Sequence, residues 1–231
     1  MLIKGFQATS LADYPGEIAS IVFVAECDFR CPYCYNKLLV LNSPDLIELD
    51  EKKILEKISE RRKLIDGVVI SGGEPVLQKG LPEFAGKIKE LELKVKVDTN
   101  GTNPDMIQEL IDKGLADFIA MDIKGPLDKY NEIAMVKVNK SAIKKSTEII
   151  MQGKTDYEFR TTALPDLLTK KDFLEIGKWL KGAKKYCIQQ FKKMPDMIDE
   201  SFAGKKTYSK EELEEIRKEL EPYFERIEVR E

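Results

Sequence analysis

The 231-residue chain is predicted to fold as an α/β protein, a partial (β/α)6 TIM-like barrel with parallel strands. Two observations lead to this prediction. Six strand-then-helix units follow one another between residues 21 and 220, and alternation of this kind implies a parallel sheet with right-handed crossovers. Six units also fall short of the eight that close a full barrel. Neither a linker nor a change of composition interrupts the chain, so residues 1–231 are expected to form one domain.

The chain opens with two predicted strands. Residues 2–25 are expected to form them around a loop rich in turn-forming residues, and the apolar run at residues 19–25 is typical of a strand buried on both faces. A loop with three cysteines follows as far as about Asn36. Asp50 is then expected to begin the first helix, because apolar residues follow it at helical spacing.

The rest of the chain alternates between strands and helices. Strands are expected at residues 67–70, 94–97, 117–121, 157–162, 186–191 and 226–230. Helices are expected over residues 81–91, 104–114, 140–152, 170–181 and 210–220. Residues 192–208 are predicted to form a long loop, which holds Met194, Pro195, Met197, Ile198 and Phe202. These apolar residues are expected either to form a binding rim or to cap the open end of the barrel.

The composition excludes several classes of function. The net charge of −3 gives no electrostatic case for binding nucleic acid or an anionic membrane. The chain contains no histidine, so a histidine-based catalytic triad or zinc site is not possible. The four cysteines, three of them clustered, indicate cofactor ligands in a reducing compartment. The longest apolar runs are far shorter than a membrane span, and the N-terminal residues 1–5 lack the apolar core of a signal peptide, so a cytoplasmic location is expected.

Polar residues interrupt the apolar pattern where the predicted strands end. They are the three cysteines; Gly72, Gly73 and Glu74; Asp98 and Thr99; Asp122 and Lys124; Arg160 and Thr162; and Gln189. Because the carboxyl ends of parallel strands meet at one face of a barrel, these residues are expected to surround a single active site.

The cysteines form the most informative motif. Cys27, Cys31 and Cys34 fall within eight residues, in the spacing CxxxCxxC. A structural zinc site needs four protein ligands, and this segment offers three. In a 4Fe-4S cluster three cysteines would leave one iron open to a ligand that is not protein. The alternative is a set of buried free thiols, which are common as small apolar residues.

This spacing, with the aromatic Tyr33 before the last cysteine, resembles the cluster motif of the radical S-adenosylmethionine (SAM) superfamily. The resemblance implies that Cys27, Cys31 and Cys34 hold a 4Fe-4S cluster whose open iron binds the amino and carboxylate groups of SAM. It further implies that the reduced cluster cleaves SAM to a 5'-deoxyadenosyl radical. Tyr33 and Tyr35 are then expected to lie beside the cofactors.

The segment Gly72-Gly73-Glu74-Pro75 resembles the part of this superfamily that receives the SAM amino group. Two glycines allow backbone to approach a ligand closely and expose its polar groups, and Glu74 can accept from a cationic donor. The plain alternative is a tight turn from strand to helix.

Two further segments are similar to those of glycyl-radical-enzyme activases. They are Asp98-Thr99-Asn100-Gly101 and Asp122-Ile123-Lys124, and the resemblance implies that Asp98, Thr99 and Asp122 line the SAM site, with a monovalent alkali cation possible beside them. Two carboxylates next to that of SAM would repel one another, so a cation or Lys124 must balance them. Ordinary turn chemistry and a solvated strand end are the alternatives.

Three residues on the later strands complete the prediction. Arg160 stands between apolar neighbours and should pair with a carboxylate, that of SAM or of Asp122, unless its strand is an exposed edge. Gln189 is expected to contact the adenosine, although activases often carry a histidine near this point and this chain has none. Cys187 is expected to be a packed core thiol rather than a ligand.

The stretch from Gly5 to Gly16, continuing through the cysteines to Asn36, resembles the activating proteins of anaerobic ribonucleoside-triphosphate reductases. The implied function is to generate a glycyl radical on a partner enzyme, with electrons from an external ferredoxin or flavodoxin. An activase of pyruvate formate-lyase or of another glycyl-radical enzyme is the nearest alternative. An iron-sulfur electron carrier or a zinc-binding structural protein would belong to a different class of function. A carrier, however, would need a fourth cysteine nearby as a cluster ligand.

Overall fold

The strands of the sheet lie in the order in which they occur in the chain. The computed structural model describes residues 1–230, so the last residue of the predicted domain, Glu231, lies outside the described residues. Within the described range the strands are β1 (Ile3–Ser10), β2 (Ala19–Val24), β3 (Gly67–Gly72), β4 (Lys94–Thr99), β5 (Phe118–Asp122), β6 (Asp156–Ala163), β7 (Ala183–Gln190) and β8 (Phe224–Arg230).

Seven of these strands are parallel. β2 to β8 pair in parallel with their sequence neighbours, while β1 pairs antiparallel with β2. Six crossovers therefore connect the parallel strands, which confirms the predicted six strand–helix units and the α/β class. Among residues 1–230 the pairing begins at β1 and ends at β8, so the sheet stays open between those two strands.

The helices connect successive strands. They are α1 (Lys37–Val40), α2 (Glu51–Arg61), α3 (Leu81–Lys89), α4 (Pro104–Asp112), α5 (Tyr130–Ala134), α6 (Lys140–Met151), α7 (Lys170–Trp179) and α8 (Lys210–Leu220), with short 3₁₀ turns at Pro75–Leu77, Glu200–Gly204 and Glu221–Tyr223. The predicted helices are confirmed to within about two residues. α1 and α5 were not predicted, because a helix of one turn shows no periodic pattern of apolar residues.

Side-chain caps fix where the helices begin. The carboxylate of Asp50 accepts a hydrogen bond from the backbone N–H of Lys53, as its predicted position at the start of α2 requires. Before α8, Ser209 and Glu212 exchange hydrogen bonds in a capping box.

No helix in residues 1–230 is both long enough and apolar enough to cross a membrane.

The strands β6, β7 and β8 carry a layer of charges around one buried carboxylate, that of Glu158. Glu158 of β6 is fully buried, and its carboxylate accepts hydrogen bonds from Arg230 of β8 at 2.8 and 2.6 Å. Lys185 of β7 lies 2.9 Å from the same carboxylate. Because the two arginine bonds join β6 to β8 across β7, this layer holds the last strand of the sheet in place.

Candidate active site

One cavity of about 620 Å³ opens at the carboxyl ends of the strands. Every residue predicted for the site lines it: Cys27, Cys31, Tyr33, Cys34, Tyr35, Gly72, Gly73, Glu74, Asp98, Thr99, Asp122, Lys124, Arg160 and Gln189. The expectation that strand ends far apart in sequence share one mouth is confirmed, and the volume lies within the range typical of pockets for small molecules. The chemical role of each residue stays a prediction.

The three clustered cysteines are free thiols on the cavity wall. Cys31 is buried, whereas Cys27 and Cys34 are half-buried, and burial raises the pKa of the Cys31 thiol to about 11. No three Cys, Asp or Glu side chains of the described chain converge closely enough to hold a single metal ion. An iron–sulfur cluster makes a different demand, because its thiolate ligands are distributed over several irons. Three thiols on one cavity wall fit that demand.

Hydrogen bonds from distant segments hold the cysteine loop. The backbone N–H of Arg30 donates to Ala134 O at 2.9 Å, and the side-chain amide of Asn100 donates to Asp28 Oδ1 at 2.8 Å. The same amide nitrogen lies 3.8 Å from Cys27 Sγ. Asn100 was not singled out in the sequence, because Asp-Thr-Asn-Gly is equally typical of an ordinary turn.

The long loop over residues 192–208 packs on the cysteine loop. The backbone N–H groups of Ile198 and Asp199 donate to Cys34 O at 3.0 Å and to Pro32 O at 2.9 Å. Met197 is fully buried and Phe202 nearly so, which supports the capping role, while Met194 remains 43% exposed. The loop therefore covers one side of the cysteines and still presents an apolar residue to solvent.

The two glycines of the Gly-Gly-Glu-Pro segment serve a close approach between two parts of the chain itself. A Cβ on Gly73 would lie 2.1 Å from Glu26 O, and one on Gly72, whose φ is +111°, would lie 2.5 Å from Val24 O. The N–H of Gly73 donates to Val24 O at 2.8 Å. The expectation that these glycines expose their amide groups to a ligand is therefore wrong for this N–H: the close approach joins β3 to the cysteine loop.

Glu74 is buried between the strand-end turns. Its carboxylate accepts hydrogen bonds from Thr99 Oγ1 at 2.7 Å, from the backbone N–H of Asn100 at 2.6 Å and from that of Val76 at 3.1 Å. Burial raises the pKa of Glu74 to about 8, against the opposing effect of these hydrogen bonds. Both carboxylate oxygens thus already hold protein donors, and any contact with the SAM amino group would be added to these.

Replacing Glu74 with alanine should lower the free energy of unfolding by about 2 kcal/mol, because three buried donors lose their acceptor. SAM binding should weaken as well, since the Thr99–Asn100 turn lines the cavity. Urea unfolding under anaerobic conditions measures the first effect and equilibrium dialysis the second. Glu74→Gln keeps one carbonyl acceptor, so its free energy of unfolding should lie between those of the parent protein and the alanine variant. An alanine variant as stable as the parent would show that these bonds do not hold the turns.

Two cations, Arg160 and Lys124, face the carboxylate of Asp122 on the cavity wall. Arg160 Nε donates to Asp122 Oδ1 at 2.8 Å, and Lys124 Nζ lies 3.1 Å from Asp122 Oδ2. Burial would raise the pKa of Asp122, but Arg160 and Lys124 outweigh it and hold that pKa at about 2. The predicted pairing of Arg160 with Asp122 is confirmed. An exposed edge strand is excluded, because β6 lies between β5 and β7.

The remaining predicted residues occupy different parts of the cavity wall. Tyr33 is buried, Tyr35 is 60% exposed at the rim, and Gln189 lies at the end of β7. Cys187 is fully buried in β7, as expected of a core thiol. Polar residues that line the cavity and were not assigned to the site from the sequence are Gln7, Asp13, Asn36, Ser71, Asn100, Gln190, Lys192 and Arg230. Most lie in loops or at strand ends whose spacing carries no motif.

Comparison with known proteins agrees with this arrangement. The sequence profile of the Radical SAM superfamily matches residues 21–180. A Methanocaldococcus jannaschii protein named as a candidate glycyl-radical enzyme activating enzyme is 34% identical over 99% of this chain and 95% of its own length. The pyruvate formate-lyase-activating enzyme of Clostridium pasteurianum is 32% identical over 53% of this chain and 52% of its own length.

The fold has counterparts among solved structures. SuiB of Streptococcus suis, solved with S-adenosylmethionine bound, superposes with a TM-score of 0.70 at 13% identity and covers 91% of this chain and 52% of its own. At that identity the likeness shows the fold alone. The profile match and the full-length relative together decide the family: the chain belongs to the radical SAM superfamily and, within it, to the glycyl-radical enzyme activases.

Proposed function

We propose that this protein uses a 4Fe-4S cluster and SAM to generate a glycyl radical on a partner enzyme, and that the partner is an anaerobic ribonucleoside-triphosphate reductase. One observation carries the proposal. The three cysteines, the strand-end turns and the two cations Arg160 and Lys124 surround a single cavity in a chain of the activase family. The likeness of residues 5–36 to the reductase activases supports the choice of partner.

Cys27, Cys31 and Cys34 would hold the cluster and leave one iron for SAM. When bound, the cluster would supply the electron for the reductive cleavage of SAM, and an external ferredoxin or flavodoxin would supply that electron to the cluster. The chain contributes binding and orientation, because no redox group of its own is required for that chemistry.

The cavity wall would orient SAM. Arg160 and Lys124 offer positive charge where a carboxylate of SAM would approach, and Asp122 keeps both cations directed into the cavity. Gln189 and Tyr35 line the cavity farther along its wall, and we assign them to the adenosine. The loop over residues 192–208 would limit the access of water to the cysteines.

The open side of the sheet would admit the partner. β1 and β8 each leave one edge unpaired within the described chain, and Gln7 and Arg230 on these strands line the cavity. In this proposal an extended peptide segment of the partner enters the cavity from that side. A backbone glycine of the partner is therefore the proposed hydrogen donor.

Incubating the reduced, cluster-loaded protein with SAM and an anaerobic ribonucleotide reductase should give a glycyl doublet in the EPR spectrum. Deuterium placed at the partner's glycine Cα should appear in 5'-deoxyadenosine, because that hydrogen is the one abstracted. Deuterium that arrives only from a labelled metabolite would contradict the proposal. An EPR signal of the reduced cluster that ignores added SAM would point instead to an electron carrier.

Pyruvate formate-lyase is the second candidate partner. The likeness of about half the chain to the activating enzyme of Clostridium pasteurianum favours it. Parallel incubations with both partners at equal concentration would separate the two, since a doublet should form at a higher rate on the true partner.

A further inference from the structure

Two carboxylates, those of Asp98 and Asp122, lie close together on the cavity wall. Asp98 at the end of β4 and Asp122 at the end of β5 are bridged by Arg160, whose Nη1 lies 3.4 Å from Asp98 Oδ1 and whose Nε lies 2.8 Å from Asp122 Oδ1. Neighbouring carboxylates repel one another, and a third carboxylate from bound SAM would add to the repulsion. Positive charge must therefore be supplied at this pair.

Lys96, two residues before Asp98 on β4, supplies part of that positive charge. Its Nζ forms an ion pair with Oδ1 of Asp98, and its side chain is 1% exposed. Residues 96 and 98 lie two apart on β4, so both side chains point into the barrel. The ammonium also lies 6.0 Å from the ring centroid of Phe118, a distance at which the ring face stabilises a cation. Lys96 is thus held where it is by two separate contacts.

The protein already occupies the oxygens that a free cation would need. Asp98 Oδ2 accepts a hydrogen bond from Ser71 Oγ at 2.9 Å, and Asp122 Oδ2 lies 3.1 Å from Lys124 Nζ. The two Oδ1 atoms face Arg160 and Lys96. Hard cations bind by collecting several oxygen ligands, and here all four carboxylate oxygens hold protein donors.

We propose that Lys96 acts as a tethered monovalent cation: its ammonium takes the place at the Asp98–Asp122 pair that a free alkali ion would otherwise occupy, so SAM binding needs neither sodium nor potassium. Lys96 is a positioning residue in this scheme, because it contacts Asp98 and lies outside the set of residues that line the cavity. The proposal rests on the proposed function only in taking SAM as the occupant of the cavity.

The first test is the cation dependence of the cluster-loaded protein itself. SAM affinity, measured by equilibrium dialysis, should agree within about twofold in sodium, potassium and N-methylglucamine chloride at equal ionic strength. The melting temperature of the cluster-free protein should be equally indifferent to the choice of cation. An affinity that rises about tenfold, about 1.4 kcal/mol, when potassium replaces N-methylglucamine would overturn the proposal.

The second test removes the tethered charge. Lys96→Met should lose about tenfold in SAM affinity in N-methylglucamine and recover it in potassium, in sodium or with added methylamine. The double variant Lys96→Met, Asp98→Asn should show no such recovery, because it removes the negative charge as well. Lys185→Met, which takes a cation from the Glu158 layer of the same barrel, should remain indifferent to the choice of cation.

A Lys96→Met protein that binds SAM equally in all three salts would contradict the proposal. If that variant does not fold, the salt series on the parent protein still decides the matter. Both tests read binding or melting. A failure to produce a glycyl radical would therefore count against the proposed function and leave the cation result standing.

Discussion

Replacing Cys31 with alanine is expected to abolish the 4Fe-4S cluster and, with it, all cleavage of SAM. Cys31 is the most buried of the three clustered cysteines, and its thiol lies on the wall of the cavity. A cluster held by three cysteines would have one protein ligand on each of three irons, so the loss of one leaves a second iron exposed. Iron and sulfide content after anaerobic reconstitution, with the absorption of the cluster, measures the effect.

The matched control is Cys187→Ala. This thiol is also buried, but it packs inside β7 and lies outside the set of residues that line the cavity. The control protein should retain its full cluster content and should lose only the packing of a small side chain. A Cys187 variant without a cluster, beside a Cys31 variant that keeps one, would show that the ligand assignment is wrong.

Replacing Glu158 with glutamine is expected to lower the free energy of unfolding at pH 7 by about 3 kcal/mol. Burial alone would raise the pKa of Glu158, but Arg230, Arg160 and Lys185 outweigh it and lower that pKa from 4.5 to about 2. A depressed carboxylate pKa stabilises the fold above the unfolded-state value. That contribution is lost as the pH falls from about 4.5 towards 2.

The difference between the parent and Glu158→Gln should therefore shrink as the pH falls below about 4.5, as urea unfolding at several pH values would show. Glu225→Gln, a change at an exposed position of β8, is the control and should alter stability by no more than about 0.5 kcal/mol. A pH-independent difference would mean that Glu158 contributes by packing and not by its charge. Since Arg230 anchors β8 through Glu158, the same variant should expose the last strand to faster hydrogen exchange.

The sequence was sufficient for the order of strands and helices. Buried parallel strands such as residues 67–70 are unbroken apolar runs, and caps such as Asp50 mark helix starts with a specific hydrogen bond. Once the strands are known to be parallel, their carboxyl ends must share one face. Most of the site residues followed from that geometry and from the cysteine spacing, whereas Tyr33, Tyr35 and the roles toward SAM came from the resemblance to the radical SAM superfamily.

Other features depend on contacts that no spacing reveals. The ion pair between Lys96 and Asp98 was missed because Lys-Val-Lys-Val resembles an ordinary half-exposed strand, although Lys96 is nearly fully buried. The close packing at Gly73 was missed for a similar reason, since the atom that excludes a Cβ there is Glu26 O, far away in sequence. Asn100 donates a hydrogen bond to Asp28 of the cysteine loop, and only the assembled barrel brings these two residues together.

The sequential order of the sheet also bears on how the chain assembles. Each strand pairs only with the strands that come directly before and after it in the chain, so no strand must wait for a partner from the far end. Loop closure then costs little entropy at each step, and folding can proceed by adding one strand and helix at a time to a growing edge. On a ribosome, β2, the cysteine loop and β3 would be paired before β8 is synthesised. We expect nascent chains stalled after α6 to be protected from proteolysis over β2 and β3, and the cysteine loop to gain its full protection only after residues 192–208 have packed on it.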